Sequence, residues 1–335
     1  MENEIEKLVD HSIVAHYPAS ERADVPKVRE KVLQWCAEHD CLLLAGDHPD
    51  LFRLKAIADP PVLLYVRGNA ALLSSVSLAV VGTRRPTPYG IRAAMLFSQE
   101  LSRYGFVIVS GLASGIDSAA HDGALRAEGT TIAVLGHGLD RIYPRGNHGL
   151  AERILEAGGC LVSEYPPGVA PMPFHFPQRN RIISGLSLGT LVIEAAAKSG
   201  SLITAKTALE QGREVFAVPG GFDDPGHAGS HQLIQQGAKL VISPKDVLTE
   251  LPEVYLSAAT RNRNEECGEV GGAGCDELRS LFVRCGGSAS LEELVSEGLV
   301  PQPNLLAQLS SATRHGRVCE IYPQQYVWVE RAAHS

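Results

Sequence analysis

A regular alternation between residues 78 and 245 constrains the fold of this chain more than any other feature. Short β-branched runs end in glycine or serine, and a helix-forming stretch follows each of them. Continuous apolar strands that alternate with helices are typical of a parallel sheet covered on both faces. We therefore predict an α/β fold with a mostly parallel sheet. The strand-like runs are 78–81, 106–109, 131–135, 191–193 and 215–218.

The turns that follow these runs contain the candidate binding residues. Ligands of such sheets bind beyond the carboxyl ends of the strands. Cations, turns of free backbone N–H groups and helix N-termini all hold phosphate oxygens, and these turns combine the three. The sequence thus predicts a site for a phosphate backbone or a nucleotide. The candidates are Gly82, Thr83, Arg84, Arg85, Ser110, Gly111, Gly136, Arg179, Asn180, Arg181, Lys198, Ser199, Gly200 and Ser201.

Two of these turns differ from a dinucleotide-binding fingerprint. The turn at 82–90 has two arginines where Gly-x-Gly-x-x-Gly would place small residues, which disfavours NAD and favours direct pairing of Arg84 or Arg85 with phosphate. An arginine tied to a neighbouring carboxylate is the alternative. The Gly-His-Gly at 136–138 lacks its third glycine, because Arg141 stands there, so we expect Gly136 to shape the floor of the groove.

The stretch 174–181 interleaves aromatic residues with cations. This composition is expected where single-stranded bases stack while guanidinium groups hold the backbone. Two alternatives stay open from the sequence. Phe174 and Phe176 could belong to the core, and Arg179 and Arg181 could have structural roles.

The sequence gives little support for catalysis, a metal or a cofactor, and we predict none of the three. Asp117 and His121 are spaced i, i+4, as are His227 and His231, but neither pair has a further ligand at metal-binding spacing. The first pair also fits a capped, solvated helix start. The seven cysteines contain no C-x-x-C pair and are typical of thiols in a reducing cytoplasm.

The net charge of −8 is unevenly distributed along the chain. Residues 1–50 carry 5 basic and 11 acidic side chains, residues 256–335 carry 7 and 10, and the middle is near neutral with 18 and 17. A local basic groove is compatible with such a middle segment, whereas binding by net charge alone is disfavoured. No apolar run approaches the roughly 20 residues that span a bilayer, and the acidic start does not resemble a signal peptide. We expect a cytoplasmic protein without membrane contact.

Composition divides the chain into four parts. We predict a short helical segment at 1–46, the α/β domain at 47–256 and a flexible linker at 257–274, where charged residues give way to a glycine-rich run. Three short helix-like stretches and a small hairpin follow. They predict a winged-helix-like domain at 275–331.

The order of motifs resembles the DNA-processing protein A family, also called DprA or Smf. The resemblance covers about residues 47–250, roughly 60% of the chain, and a winged-helix tail is also found in many members. The matching motifs are V-G-T-R-R-P-T-x-Y-G, S-G-L-A-S-G-I-D-S-A-A-H, T-I-A-V-L-G, S-E-Y-P-P-G, F-P-Q-R-N-R-I-I-S-G-L-S, K-S-G-S-L-I-T-A, V-F-A-V-P-G and L-I-Q-Q-G-A.

The resemblance implies an extended Rossmann-like, doubly wound domain that binds single-stranded DNA, forms homodimers and is not an enzyme. Such proteins protect incoming strands and load the recombinase RecA during natural transformation. The resemblance places phosphate contacts at 82–85, 179–181 and 198–201. Two departures concern the turn at 229–234, where the family usually has asparagine, and the short N-terminus, which lacks a helix-hairpin-helix glycine pattern.

A nucleotide-processing enzyme of the lysine-decarboxylase-like Rossmann group is the alternative reading. The Pro-Gly-Gly at 219–221 superficially fits that group. However, the chain continues Phe-Asp-Asp-Pro-Gly at 222–226, where that group has Gly-x-Gly-Thr followed by an acidic residue. The sequence therefore disfavours the enzyme.

Overall fold

The computed structural model describes residues 2–20, 22–251, 288–290, 318–322 and 325–328. The chain divides into two compact units, Met1–Val247 and Leu248–Ser335. In the second unit, three short strands form an antiparallel sheet in the order β10 (Ser288–Ser290), β12 (Gln325–Trp328), β11 (Val318–Tyr322). The predicted linker at 257–274 and the helices predicted for a winged helix lie outside the described residues.

The first unit is built around one nine-stranded sheet. Its strands are β1 (Cys41–Ala45), β2 (Leu63–Gly68), β3 (Ser77–Val81), β4 (Val107–Ser110), β5 (Thr131–Leu135), β6 (Cys160–Ser163), β7 (Gly189–Val192), β8 (Glu214–Ala217) and β9 (Lys239–Leu240). Their order is β1-β2-β6-β5-β4-β3-β7-β8-β9. Only the β1–β2 and β2–β6 pairings are antiparallel in this sheet, so the predicted mostly parallel sheet is confirmed.

The strand order reverses between β3 and β7, which lie side by side in the sheet. The chain winds from β3 through β4 and β5 to β6 in one direction, and from β7 through β8 to β9 in the other. The turns after β3 and β7 therefore diverge, and they leave a crevice beyond the carboxyl ends of these two strands. The doubly wound topology thus defines where a ligand of this sheet is expected to bind.

Helices cover both faces of the sheet. They are α1 (Glu2–His16), α2 (Val25–Glu38), α3 (Phe52–Lys55), α4 (Pro88–Arg103), α5 (Ile116–Arg126), α6 (His148–Glu156), α7 (His175–Leu186), α8 (Ser201–Glu210), α9 (Ala228–Gln235) and α10 (Pro244–Glu250). Because both faces are covered, each strand has buried side chains on both sides. In β5, Ile132 and Val134 belong to one buried cluster while Ala133 and Leu135 belong to another. Each fully buried side chain of this size contributes about 1.5–3 kcal/mol, which explains why the strands are continuously apolar. Among the described helices, none is long and apolar enough to cross a membrane.

The N-terminal helices pack on this sheet. Val9 and Ile13 of α1 and Val32 of α2 are buried in the same cluster as residues of β2 and α6, and Asp10 accepts a 2.7 Å hydrogen bond from Arg29. We expected the sheet domain to begin at residue 47, but β1 already pairs with β2. Only Cys41 and Leu44 of this short edge strand are buried, so it gives a weaker signal than a continuously buried strand.

His121 is a fully buried histidine beneath the sheet. Its Nδ1 lies 2.7 Å from the Thr131 hydroxyl, which itself donates a 2.6 Å hydrogen bond to the Ile108 carbonyl. Since the hydroxyl proton is already used, the His121 ring donates through Nδ1. Burial lowers the pKa of His121 to about 3.

We predict that this buried ring makes the protein less stable in mild acid. An unfolded histidine titrates near pH 6.5, so between pH 6.5 and about 3 the unfolded chain binds the extra proton and stability falls as the pH falls. From pH 8 to pH 5 the free energy of unfolding should drop by about 2 kcal/mol from this group. Urea unfolding at both pH values measures the drop. The His121→Gln variant should lose that part of the pH dependence, and equal pH slopes for both proteins would contradict the assignment.

Candidate nucleic-acid interface

The turn after β3 lies at the switch point and presents two exposed arginines, Arg84 and Arg85. Its backbone is fixed on both sides. The Thr83 N–H donates to the Glu194 carbonyl at 2.8 Å, and the Thr83 carbonyl accepts from the Ile116 N–H at 3.2 Å. Gly115 allows this close packing, because it has φ of +91° and a Cβ there would lie 2.5 Å from the Thr83 oxygen.

Glu194 connects the turns after β3 and β7. Its carboxylate is 1% exposed and accepts hydrogen bonds from the Thr87 hydroxyl at 2.7 Å and from the Thr87 N–H at 3.1 Å. Thr87 is also the N-cap of α4, where its hydroxyl accepts from the Gly90 N–H. Sequence patterns did not predict this role of Glu194. The available signal was an acidic residue placed directly after an apolar strand.

Aromatic side chains extend the crevice from β3 towards β5. The guanidinium carbon of Arg84 lies 5.1 Å from the ring centroid of Phe176, and the Tyr143 ring lies 5.9 Å from the same ring. Phe176 packs against Gly136, since a Cβ at Gly136 would lie 3.0 Å from the ring. Tyr143 and Phe174 are 47% and 57% exposed. This surface therefore combines a cation with aromatic faces that solvent can reach.

The turn after β7 leads into α8, as the sequence predicted. Lys198 and Gly200 are exposed, and the Ser199 and Ser201 hydroxyl oxygens lie 2.7 Å apart at the start of the helix. The N–H groups of a first helical turn have no partner within the helix, so they attract anions. A lysine next to such a helix start can hold a phosphate oxygen.

Arg179 lies in the interior, which corrects the prediction of a phosphate contact there. Its side chain is 3% exposed. The guanidinium donates to the Gly111 carbonyl at 2.9 Å and also to the Val134 carbonyl, below the turns after β4 and β5. Burial lowers the pKa of Arg179 to about 10, so the group stays charged at neutral pH.

Ser110 and Gly111 were also predicted to contact phosphate, and the structure gives both a structural role. The Ser110 hydroxyl donates to the Val80 carbonyl at 2.6 Å. The Gly111 N–H donates to the Asp117 carboxylate at 3.1 Å, while its carbonyl accepts from Arg179. A Cβ at Gly111 would lie 2.7 Å from the same carboxylate, so only glycine fits between Asp117 and Arg179.

Asp117 and His121 have different partners, so they do not form a shared acid–base site. Asp117 faces Arg179 and accepts from the N–H groups of Gly111 and Ala113, whereas His121 contacts Thr131. Burial raises the pKa of the Asp117 carboxyl, and Arg179 opposes that rise. Asp117 and Arg179 thus together support the turn after β4.

Arg181 is held by two carboxylates. This is the structural role that the sequence left open for Arg181 as the alternative to a phosphate contact. Its Nε lies 2.9 Å from Asp59 Oδ2, and its Nη2 lies 2.7 Å from Glu164 Oε1. Glu164 raises the pKa of Arg181 against the effect of burial. The Asn180 amide oxygen accepts from Arg179 at 3.3 Å. Arg179 and Arg181 are thus engaged within the protein, whereas a phosphate contact at the half-buried Asn180 stays a prediction.

The turn after β8 is connected to the β3 side of the crevice. The Tyr89 hydroxyl, at the start of α4, donates to the Pro219 carbonyl at 3.0 Å. His227 is 2% exposed, and its Nδ1 lies 3.0 Å from Asp224 Oδ2. His231 Nε2 lies 3.3 Å from Gly220 N. Within the part of the chain that the structure describes, no three His, Cys, Asp or Glu side chains come together in an arrangement that could hold a metal ion.

Relatives of known sequence resemble most of this chain. Protein Smf of Escherichia coli (strain K12) is 44% identical over 311 residues, which cover 91% of this chain and 82% of the relative. DNA processing protein DprA of Bacillus subtilis (strain 168) is 52% identical over 203 residues, which cover 60% of this chain and 68% of the relative.

Two solved structures share the fold. The X-ray structure of DNA processing protein A from Streptococcus pneumoniae matches with a TM-score of 0.61 and 42% identity, over 73% of this chain and 87% of that chain. A structure of the Helicobacter pylori protein, described in terms of its single-stranded DNA binding mode, matches with a TM-score of 0.57 and 31% identity, over 63% and 94% of the two chains. The model of the family described as DNA recombination-mediator protein A matches residues 42–252, and the chain belongs to this family.

Proposed function

We propose that this protein binds single-stranded DNA in the crevice at the carboxyl ends of the parallel strands and acts there as a recombination mediator. One observation carries the proposal. Arg84 and Arg85 are exposed at the switch point on a turn whose backbone is fixed, and Arg84 stacks on Phe176. Lys198 and the start of α8 lie on the neighbouring turn after β7.

These groups match the two chemical parts of a single strand. Guanidinium and ammonium groups attract phosphates, and the helix start adds N–H donors. The rings of Tyr143, Phe174 and Phe176 offer flat faces to bases. A duplex hides its base faces by pairing and stacking, whereas a single strand exposes them. The crevice therefore favours single strands and is tolerant of base sequence.

The salt dependence of binding tests this proposal directly. With Arg181 paired and Arg179 buried, three candidate cations remain, namely Arg84, Arg85 and Lys198. At roughly −0.7 per phosphate contact on single strands, log K should fall against log[salt] with a slope of about −2. Titrations at several salt concentrations should also show weaker binding to duplex of equal length, and affinities for mixed-base strands within about tenfold. A flat salt response, or a preference for duplex, would refute the assignment.

We also propose the two protein partners that the family resemblance implies, a second copy of this chain and RecA. Leu240 in the edge strand β9 and Ile242 two residues later are 43% and 75% exposed, and these apolar side chains support self-association. Light scattering of the purified protein tests the dimer, and a monomer at micromolar concentration would exclude it.

If the protein loads RecA onto single-stranded DNA, it should shorten the lag before RecA filaments form on coated single strands. An unchanged lag would exclude that activity. Action on incoming strands would take place in the cytoplasm.

We propose that this is a binding protein rather than an enzyme. In the turn after β8, where the alternative reading would place its nucleotide, Asp224 and His227 bond to each other and His227 is buried. Incubation with nucleoside monophosphates tests the alternative. Release of free base would establish the nucleotide-processing enzyme, and unchanged nucleotides would exclude it for those substrates.

A further inference from the structure

We infer that Phe222 is a base-stacking residue that extends the single-strand site past the switch point to the turn after β8. The inference rests on the proposed function. Phe222 is 95% exposed, whereas Ile242, the next most exposed large apolar residue among those described, is 75% exposed. Burial of a phenylalanine side chain stabilises a protein, so a ring left this exposed forgoes that contribution.

Hydrogen bonds order the turn that follows Phe222. The Asp224 N–H donates to the Gly221 carbonyl at 3.1 Å, and the Gly226 N–H donates to Asp224 Oδ1 at 2.8 Å. The other carboxylate oxygen of Asp224 lies 3.0 Å from Nδ1 of the buried His227. The side chain therefore projects from a built turn rather than from a loose loop. Because the backbone of this turn is already ordered, stacking of a base on the ring does not require the turn to fold first.

A hydrogen bond connects this turn to the part of the chain that carries the arginines. Tyr89 follows Arg85 by four residues, and its hydroxyl bonds to Pro219, three residues before Phe222. In the sheet, the order β5-β4-β3-β7-β8 places Phe176, Arg84, Lys198 and Phe222 in succession along the carboxyl edge. Four strand spacings of about 4.8 Å give about 19 Å. A stacked single strand with about 3.4 Å per nucleotide covers that length with five or six nucleotides.

The local charges favour a base over a phosphate at this position. Asp223 and Asp224 directly follow Phe222 in the chain, and their carboxylates repel phosphate oxygens. Every base has a flat face that can stack on a phenylalanine without any charge. A strand whose phosphates lie on Arg84, Arg85 and Lys198 can turn its terminal base onto Phe222. The carboxylates then keep the backbone on the cationic side of the crevice.

The Phe222→Ala variant tests the inference. Loss of one stacking contact should weaken binding to an eight-nucleotide strand by about five- to thirtyfold. Binding to a two-nucleotide strand should change less than twofold, because at about 3.4 Å per nucleotide it covers about 7 Å, less than the two strand spacings of about 10 Å from β3 to β8. The slope against log[salt] should stay the same, because no phosphate contact is removed. Leu96→Ala is the matched control, since Leu96 is 52% exposed in the middle of α4, and it should bind like the wild type.

The Phe222→Trp variant gives a second readout. Its fluorescence, compared with that of the wild type, should be quenched when a single strand binds, and stacking should preserve the affinity. Wild-type affinity of Phe222→Ala for the longer strand would overturn the inference, as would an unquenched tryptophan. If Arg84→Ala still weakens binding in that case, only the role of Phe222 fails. If neither variant changes binding, the proposed function itself is wrong.

Discussion

Replacing Arg84 and Arg85 together by alanine lowers the affinity for a single-stranded oligonucleotide by at least about a hundredfold. A charged hydrogen bond contributes about 1.5–3 kcal/mol, and each arginine supplies one such contact in the proposed complex. The slope of log K against log[salt] should fall from about −2 to about −0.7, because only the Lys198 contact remains. Fluorescence anisotropy titrations of a labelled strand at several salt concentrations measure both quantities.

The fold of this double variant should be unaffected. Both side chains are exposed, and the turn is held by backbone bonds of Thr83 that do not involve them. Arg126→Ala is the matched control, since this exposed arginine ends α5, one helix length from the crevice. It should keep both the affinity and the salt slope. Wild-type affinity in the double variant, with an unchanged melting temperature, would mean that DNA binds elsewhere.

The parallel sheet could be predicted because its signals are local. A β-branched run of four or five residues that ends in a small residue predicts a buried strand and a turn wherever it occurs. The strand order is not local. The pairing of β7 with β3, rather than with β6, depends on contacts between segments about 110 residues apart. The turns could therefore be identified from the sequence, but the switch point that unites two of them could not.

The arginines show a second limit of the sequence. Arg84 and Arg179 are both predicted from the sequence to contact phosphate, yet Arg84 is exposed and Arg179 is buried. A signal was present, because Arg179, Ile183 and Leu186 follow the i, i+4, i+7 spacing of one helix face. All three are buried on α7. The cation-rich composition of 174–181 led us to treat all of its arginines alike.

Buried polar partners were the least predictable part of the site. Glu194 and Tyr89 connect turns that are distant in sequence, through bonds to Thr87 and to the Pro219 carbonyl. Such contacts follow from the topology, and no periodic pattern marks them. The pairing of Arg181 with Asp59 and Glu164 is of the same kind. Composition alone can indicate that an arginine is available for phosphate binding. The structure is needed to show that a carboxylate already pairs with that arginine.

The Arg179→Met variant should lose about 3–5 kcal/mol of stability, because it leaves the Asp117 carboxylate buried without its cation. The Gly111 and Val134 carbonyls also lose their donor. Urea unfolding at pH 7.5 measures the loss. Arg179→Lys should recover only part of it, since an ammonium group cannot reproduce the planar guanidinium that bonds to two carbonyls. A variant as stable as the wild type would show that the buried pair contributes nothing.

The double-mutant cycle with Asp117→Asn separates the pair from its surroundings. An asparagine oxygen can still accept from the Gly111 and Ala113 N–H groups, and no charge is then left buried. The double variant should therefore be more stable than Arg179→Met alone, with a coupling of about 1–3 kcal/mol between the two sites. At a temperature where each variant is folded, its salt slope for single strands should equal that of the wild type, because Arg179 does not reach the surface. A slope that becomes less negative by about 0.7 would instead assign a phosphate contact to Arg179.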